Sequence, residues 1–312
     1  MNLVSIPANP APDDVVSGTV KTADGVDLRY ARFPPPPGRR GTVVILQGRA
    51  EFIEKYFETA RDLRARGFAV ATLDWRGQGR SDRLLADRYK GHVRRFSDYR
   101  ADLDTFMEQV VLPDCPPPFY ALAHSMGGAI VIDACMQGRR WFDRVVLSAP
   151  MIGLPQVSLH GFAGTFLALL RYSGFGAAYV PSSQSFEIKD FAGNVLTSDP
   201  VRFARLRAVL EAAPDLGIGA PTVAWTHGAF RLMRSFAEPG YAARLRQPLL
   251  MLAAGQDRVV STPAIEEFGV RLLAGSHVIV PGARHELLQE QDFYRQQFWA
   301  AFDAFVPGTP YY

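Results

Sequence analysis

A serine lies between two apolar stretches, where its hydroxyl could act as a nucleophile. Residues 119–123 form a short apolar run that predicts a buried strand, and residues 129–136 predict an apolar helix. Ser125 lies in the short connection between them, in the sequence Ala-His-Ser-Met-Gly at 123–127. A strand, a tight turn and a helix are the context in which a nucleophile elbow presents a serine above the edge of a sheet. The predicted chemistry is acyl transfer through Ser125.

The residues around Ser125 are small, as so tight a turn requires. Gly127 removes a side chain that would collide with the strand, while Ala123 stands where the general pattern has glycine, which is a minor departure. The same turn aims the backbone N–H of Met126 at the space above the serine. We therefore expect Met126 to supply one donor of an oxyanion hole, which requires two such N–H groups.

The base that activates such a serine must lie at the same, C-terminal edge of the sheet. His285 meets this condition, because it follows the last predicted strand, 277–280, and precedes the final helix. His277 lies at the opposite end of that strand, and His124 is expected to point away from Ser125 through the turn. The other histidines lie in a loop or in the insertion described below: His92, His160 and His227. The prediction for the general base is His285.

A carboxylate must hold the tautomer of the histidine and stabilise the imidazolium. Asp257 directly follows the predicted strand 248–254, one α/β unit before the histidine, although it could instead cap an ordinary turn. The rival position, residues 149–152, offers no carboxylate. We expect the second oxyanion donor to be the backbone N–H of Arg49, in the loop after strand 42–46, because Gly48 lets that loop approach closely.

The order of strands and helices predicts the architecture that positions these groups. After a β-hairpin at 15–33, strands alternate with helices up to residue 150. This alternation predicts a mostly parallel, doubly wound sheet of the α/β class. The alternation stops after residue 150 and returns at residue 248. We predict a core made of residues 1–150 and 242–312, with residues 151–241 inserted as a mainly helical cap.

Composition restricts the class of protein. The chain has 312 residues, 48% of them hydrophobic and 21% charged, which indicates a folded α/β domain rather than disorder. A net charge of +3 is too small to indicate a nucleic acid partner. Cys115 and Cys135 suggest neither a disulfide framework nor a metal site, so we expect no metal and no cofactor. Residues 1–14 lack a signal-peptide pattern, and no apolar window is long enough to span a bilayer, which predicts a cytoplasmic protein.

Six segments resemble motifs of the α/β-hydrolase family, and more closely those of its bacterial lysophospholipase and monoacylglycerol lipase group. They are QGRAE at 47–51, DWRGQGRS at 74–81, GHV at 91–93, AHSMGG at 123–128, GQDRV at 255–259 and GARHE at 282–286. The order Ser125, Asp257, His285 is the serine–acid–histidine order of this family. Many relatives carry His-Gly where this chain has Gln47-Gly48, and the Gly-Arg that follows favours the lysophospholipase branch.

The resemblance implies an α/β-hydrolase fold and hydrolysis of a long acyl ester in a detergent-like lipid. The leading hypothesis is a lysophospholipase that uses a Ser-His-Asp triad. A monoacylglycerol lipase or a general carboxylesterase would use the same chemistry with another leaving group. An acyltransferase on the same fold, or a catalytically silent lipid-binding protein, are further alternatives.

The insertion is rich in apolar and basic residues. Phe162, Phe166 and Leu170 are predicted to line an acyl-chain tunnel or to touch a bilayer, although they could simply pack the cap on the core. The basic residues of the insertion would suit an anionic membrane surface, and a solvated helix face explains them equally well. Peripheral contact with the inner face of the membrane is therefore an open expectation.

Overall fold

The computed structural model describes residues 3–35, 38, 40–155, 162–181 and 185–307, without the side chains of residues 162 and 163. Within these residues, eight strands form one sheet in the order β1-β2-β4-β3-β5-β6-β7-β8. The strands are β1 (Val16–Lys21), β2 (Asp27–Phe33), β3 (Thr42–Leu46), β4 (Ala69–Leu73), β5 (Phe119–His124), β6 (Arg144–Ser148), β7 (Leu249–Ala254) and β8 (Gly275–Val280).

The sheet is mostly parallel, as the alternation of strands and helices predicted. Strands β1 and β2 form the expected antiparallel hairpin, and β2 also runs antiparallel to β4. All other neighbouring pairs are parallel. Every residue of β3 and β7 is buried, because helices cover both faces of the sheet. The carboxyl ends of β5, β7 and β8 therefore meet at one edge, where the connecting loops can assemble a site.

Helices fill the space on either side of the sheet. They are α1 (Phe57–Ala65), α2 (Phe96–Phe106), α3 (Leu112–Asp114), α4 (Met126–Met136), α5 (Phe162–Tyr172), α6 (Pro200–Ala212), α7 (Val223–Phe236), α8 (Tyr241–Arg244), α9 (Thr262–Gly269) and α10 (Asp292–Phe305). A π-helical stretch, Met107–Val111, joins α2 to α3. Alternate residues of β3 belong to separate apolar clusters, Val43 and Ile45 to one and Val44 and Leu46 to the other. The sheet thus divides the core into two layers.

The segment between β6 and β7 carries helices α5 to α8 and, in its described residues, no strand of the sheet. Helix α5 packs against α7. Helix α6 begins where the Asp199 carboxylate accepts the N–H groups of Val201 and Arg202, at 2.8 and 2.9 Å. This arrangement agrees with a helical insertion, while the division of the chain into core and cap stays a prediction.

Two helices show how their ends or faces are fixed. Helix α2 begins at Phe96, and the Asp98 carboxylate accepts the Arg95 N–H at 3.1 Å. Helix α7 was not predicted, because Gly228 interrupts its apolar pattern. The structure explains this glycine, since a Cβ there would lie 2.7 Å from the ring of Phe96. In the described residues, no helix combines the length and apolar character needed to cross a membrane.

Candidate active site

Ser125 occupies a sharp turn between β5 and α4. Its φ of +48° is in a region that residues with a side chain rarely adopt. The turn is held because the Ser125 N–H donates to the Ser148 carbonyl at 3.0 Å and the Met151 N–H donates to the Ser125 carbonyl at 2.9 Å. A Cβ at Gly127 would lie 2.2 Å from the Leu46 carbonyl oxygen, so the glycine avoids the neighbouring strand β3. These contacts hold the backbone in the strained conformation that presents the serine to the cavity.

The structure brings the three predicted residues into one hydrogen-bond chain. His285 Nε2 lies 3.1 Å from Ser125 Oγ, and His285 Nδ1 lies 2.7 Å from Asp257 Oδ2. The other oxygen of Asp257 accepts the N–H groups of Val259 and Val260 at 2.7 and 2.9 Å. Ser125, His285 and Asp257 come from the loops that follow β5, β8 and β7, so one edge of the sheet assembles them.

The surroundings set the charges of this chain of residues. Burial lowers the pKa of His285 below the ordinary histidine value, against the opposing effect of the Asp257 hydrogen bond. Burial would raise the pKa of Asp257, but the His285 hydrogen bond and the two backbone amides hold it below its ordinary value. Near neutral pH the carboxylate is ionised and the imidazole is neutral. With Nδ1–H donating to Asp257, Nε2 is free to accept the Ser125 proton.

The loop 47–51 carries the predicted oxyanion donor, and its neighbouring amides are engaged. The Gly48 N–H donates to the Glu51 carboxylate, and the Gln78 amide donates to the Gly48 carbonyl at 2.9 Å. The Ala50 N–H donates to Gln78 Oε1 at 3.3 Å. Within the described part of the chain, the backbone N–H groups of Arg49 and Met126 have no acceptor, and both residues line the same cavity as Ser125. They can donate to an oxygen bound there.

Gln78 supports this loop, a function that the sequence analysis did not assign to it. It belongs to the segment 74–81, where Asp74 accepts the N–H groups of Ile53 and Arg80 at 2.9 and 2.8 Å. A Cβ at Gly79 would lie 2.1 Å from an Asp74 oxygen. The glycine on each side of Gln78 was the available sequence signal, because it marks a loop that folds tightly around a carboxylate.

His124 does not lie where the sequence analysis expected it. It was predicted to point away from Ser125, but it lines the same cavity, and its ring centre lies 4.8 Å from that of His285. Its Nδ1 is 3.0 Å from Glu51 Oε1. His124 is the last residue of β5, and its ring lies beside that of His285, in the loop after β8. The expectation was therefore wrong.

Buried charges continue from Glu51 along the cavity wall. Lys55 Nζ lies 2.6 Å from both Glu51 Oε1 and Glu286 Oε1, and the Tyr56 hydroxyl donates to Glu51 Oε2 at 2.6 Å. Burial opposes the charge of Lys55, but Glu286 and Glu51 together raise its pKa. This cluster keeps its ammonium and carboxylates paired with one another.

The cavity beside Ser125 has a volume of about 440 Å³ and is mainly apolar. Most of its apolar lining comes from the insertion: Met151, Leu154, Phe186, Ile188, Leu196, Phe203, Leu206, Leu210, Ile218, Trp225, Ala229, Phe230 and Met233. Phe166 and Leu170, which were predicted to line the tunnel, do not line this cavity. Phe166 is 39% exposed, and Leu170 packs against an apolar cluster that includes residues of α7, because α5 packs against that helix. The side chain of Phe162 lies outside the described residues.

The described residues contain no group of three or more histidine, cysteine, aspartate or glutamate side chains arranged to hold a metal ion. The expectation that the chemistry needs no metal or cofactor stays a prediction.

The chain is similar in fold to solved ester hydrolases. A soluble variant of monoglyceride lipase from Saccharomyces cerevisiae aligns with a TM-score of 0.74 over 97% of this chain and all of that one, at 20% identity. A carboxyl esterase from Bacillus coagulans aligns with a TM-score of 0.76 over 95% and 98%, at 18% identity. Together with the mostly parallel sheet, these likenesses identify the α/β-hydrolase fold.

Sequence relatives extend along most of the chain. Lysophospholipase L2 of Escherichia coli strain K12 is 35% identical over 280 residues, which cover 87% of this chain and 82% of that protein. A monoacylglycerol lipase of Mycolicibacterium smegmatis is 27% identical over 276 residues, covering 86% and 89%. The family described as serine aminopeptidase S33 matches residues 37–292. The chain therefore belongs to the serine aminopeptidase S33 family.

Proposed function

We propose that this protein is a serine hydrolase that cleaves the acyl ester of lysophospholipids. The observation that carries the proposal is the hydrogen-bond chain from Ser125 through His285 to Asp257 in the wall of an apolar cavity. The 35% identity to a lysophospholipase supports the substrate class. Both the chemistry and the substrate class are those that the sequence motifs predicted.

In the proposed first step, Ser125 Oγ attacks the acyl carbonyl carbon while His285 Nε2 takes the hydroxyl proton. The carbonyl oxygen becomes an oxyanion and accepts the N–H groups of Arg49 and Met126. Asp257 holds the Nδ1–H of the imidazolium that has formed. His285 then gives its proton to the leaving glycerophospho alcohol as the carbon–oxygen bond breaks, and an acyl-enzyme remains.

In the second step, water replaces the alcohol. His285 removes a proton from the water, which attacks the acyl carbonyl, and the fatty acid leaves as the proton returns to Ser125. These proton transfers are the same for a charged and for a neutral head group. The triad alone therefore cannot select the head group.

The cavity supports a long acyl chain as the other part of the substrate. Its lining is largely aliphatic and aromatic and comes mostly from residues 151–241, which we propose as the cap. Each methylene that leaves water would contribute about 0.8 kcal/mol to binding. The space thus favours lipid esters over short ones.

Monoacylglycerol lipase activity is the second candidate, because a relative of that name aligns over 86% of this chain. The same acyl-enzyme would form from a neutral substrate. A general carboxylesterase, an acyltransferase and a silent lipid-binding protein are the remaining alternatives, and the experiment below separates them.

The test is fatty-acid release by the wild type and by Ser125→Ala from three substrates: a lysophospholipid, a monoacylglycerol of the same chain and a short p-nitrophenyl ester. Removal of the nucleophile should lower kcat by a factor on the order of 10⁶. Ser97→Ala, at an exposed serine of α2, is the control and should match the wild type. Retained activity in Ser125→Ala would refute the nucleophile.

The wild-type profile then decides the class. Preference for the lysophospholipid supports the proposal, whereas preference for the monoacylglycerol or the short ester selects a lipase or a carboxylesterase. Transfer of the acyl group to an added alcohol in place of water would indicate an acyltransferase. A wild type that fails to react with a fluorophosphonate would indicate a silent binding protein.

We also propose that the insertion makes peripheral contact with a membrane. Leu169, Tyr172 and Phe175 are exposed by 63, 74 and 57%, and Arg171 lies among them. Exposed apolar side chains next to a cation suit an anionic interface. Leu169→Glu should reduce co-sedimentation with anionic vesicles at least several-fold and leave hydrolysis of the soluble short ester unchanged. Equal sedimentation of both proteins would refute the contact, and the cytoplasmic location stays a prediction.

A further inference from the structure

Arg49 differs from the other positively charged side chains that line the cavity. Lys55 is paired with two carboxylates, Arg207 is paired with Asp190 and Glu211, and Lys189 is exposed to solvent. Arg49 is half-buried, and among the described residues no carboxylate pairs with it. A charge taken out of water without a counterion is costly, so such a site calls for a further partner.

The guanidinium of Arg49 is held in a fixed place. One terminal nitrogen donates to the Gly219 carbonyl, and Trp225 lies with its ring centre 5.4 Å from the central carbon. A Cβ at Gly91 would lie 2.5 Å from the same nitrogen, so this glycine makes room for the group. These contacts come from the loop 91–93 and from the insertion, and they aim the side chain rather than neutralise it.

The guanidinium of Arg49 has an N–H donor that no described acceptor uses. The Nε atom of Arg49 is buried and has no hydrogen-bond partner among the described residues, although a guanidinium carries five N–H donors in a planar fork. Burial lowers the pKa of Arg49 to about 10, which still leaves it fully charged at neutral pH. A planar, charged fork with free donors fits two oxygens of one oxyanion better than any neutral group.

We infer that the Arg49 side chain binds the phosphate of the lysophospholipid head group and thereby selects this substrate over a monoacylglycerol. This inference rests on the proposed function. It assigns the two parts of one residue to two tasks, since the backbone N–H faces the acyl oxygen while the side chain reaches the phosphodiester. A neutral ester gains nothing from the side chain and leaves the cation unpaired.

The test compares kcat/KM for a lysophospholipid and for a monoacylglycerol with the same short acyl chain, both below their micellar concentrations. The ratio is decisive, because any disturbance of the Arg49 backbone affects both substrates alike. Arg49→Met should lower the ratio about 10- to 100-fold, the effect of losing hydrogen bonds to a charged group. Arg49→Lys keeps the charge but loses the planar fork, so it should lower the ratio less than Arg49→Met does.

Arg244→Met is the matched control. Arg244 also stands over an aromatic ring, that of Tyr241 at 5.7 Å, but it is exposed and does not line the cavity. Its ratio should equal that of the wild type. Equal losses for both substrates in Arg49→Met would mean that the side chain only joins the loops, and would overturn the inference.

Two further arms identify the anion. Inorganic phosphate and a fatty acid are added as competitors to the wild type and to Arg49→Met. If Arg49→Met relieves inhibition by the fatty acid but keeps the substrate ratio, the side chain binds the product carboxylate and the inference is wrong. If only inhibition by free phosphate changes, the head group is not the ligand and the inference is likewise wrong.

Binding is measured separately from turnover. In the Ser125→Ala background, an alkyl phosphocholine should bind at least tenfold more weakly after Arg49→Met, while the glycerol ether of the same alkyl chain should bind equally. A greater loss of affinity for the phosphocholine than for the glycerol ether supports the inference even if a variant turns over slowly. A wild type inactive on lysophospholipids would refute the proposed function instead, before the variants are compared.

Discussion

Two arginines at the segment 49–54 have opposite surroundings: Arg29 is fully buried against Glu54, and Arg49, inside the segment, is half-buried and lines the cavity. Arg29, on β2, donates to both oxygens of Glu54 at 2.8 Å and to Asp74 at 2.7 Å, and all three side chains are fully buried. Arg49 faces the cavity and contacts, among the described residues, one carbonyl and one aromatic ring. The first arginine is paired with two carboxylates of the fold, and the second is paired with none of the described ones.

The pKa values of the two arginines differ in the same way as their ion pairs. Burial alone would lower the pKa of Arg29, but Asp74 and Glu54 raise it above the ordinary arginine value. Burial lowers the pKa of Arg49 without a carboxylate to oppose it. The closed set of Arg29, Glu54 and Asp74 belongs to the fold, whereas the cation in the cavity of Ser125 is the place that we propose for an anionic ligand.

The largest expected effect is at the closed set. Arg29→Met would leave the carboxylates of Glu54 and Asp74 buried without a cation, which should cost about 3–5 kcal/mol of the free energy of unfolding. Urea unfolding followed by circular dichroism measures it. The matched variant is Arg32→Met on the same strand, because its partner Asp114 is 45% exposed and such a pair contributes about 0–1 kcal/mol. Equal losses in the two variants would contradict the structural assignment of Arg29.

A second prediction concerns the charge state of His285, which lines the same cavity as Arg49. Asp257 and Glu286 favour the protonated imidazole, while burial and His124 oppose it, and the result is a lowered pKa. Because only the neutral ring accepts the Ser125 proton, kcat/KM should fall about tenfold per pH unit on the acid side.

The acid midpoint of that profile should lie below the ordinary histidine pKa of about 6.5. A monoacylglycerol is the substrate to use, since it has no group that titrates in this range. Asp257→Asn serves as the control, because it removes a group that raises the pKa, so any residual activity should show a midpoint no higher than that of the wild type. A wild-type midpoint above 6.5 would show that burial does not dominate at His285.

Much of the fold could be predicted because its signals are local. The bounds of β3 match the predicted strand 42–46 residue for residue, and β5 and β7 differ by one residue from the predicted runs 119–123 and 248–254. Each is an apolar run or an amphipathic stretch between turn residues. Ser125, Asp257 and His285 could be placed at one edge by the same reasoning, since each follows a predicted strand. Their catalytic roles stay a prediction.

What surrounds the triad depends on contacts that are distant in the sequence. Nothing near Gln78 indicates that its amide bonds the carbonyl of Gly48, thirty residues earlier. The cavity lining was misplaced for the same reason, because an amphipathic helix such as α5 shows which face is apolar but not which neighbour will cover it. The lack of a counterion at Arg49 is likewise invisible in the sequence, where acidic residues such as Glu51 and Glu54 lie close by.

The smallest expected effect on the free energy of unfolding is at Arg49, in contrast to the large loss expected at Arg29. Arg49→Met removes a half-buried charge that no described carboxylate pairs with, together with one hydrogen bond and one cation–π contact, terms of about 1 kcal/mol each that oppose the desolvation gain. We expect the free energy of unfolding to stay within about 1 kcal/mol of the wild type in the same urea experiment. A loss as large as that of Arg29→Met would mean that Arg49 is held for the fold, and that the cavity carries no cation reserved for a substrate.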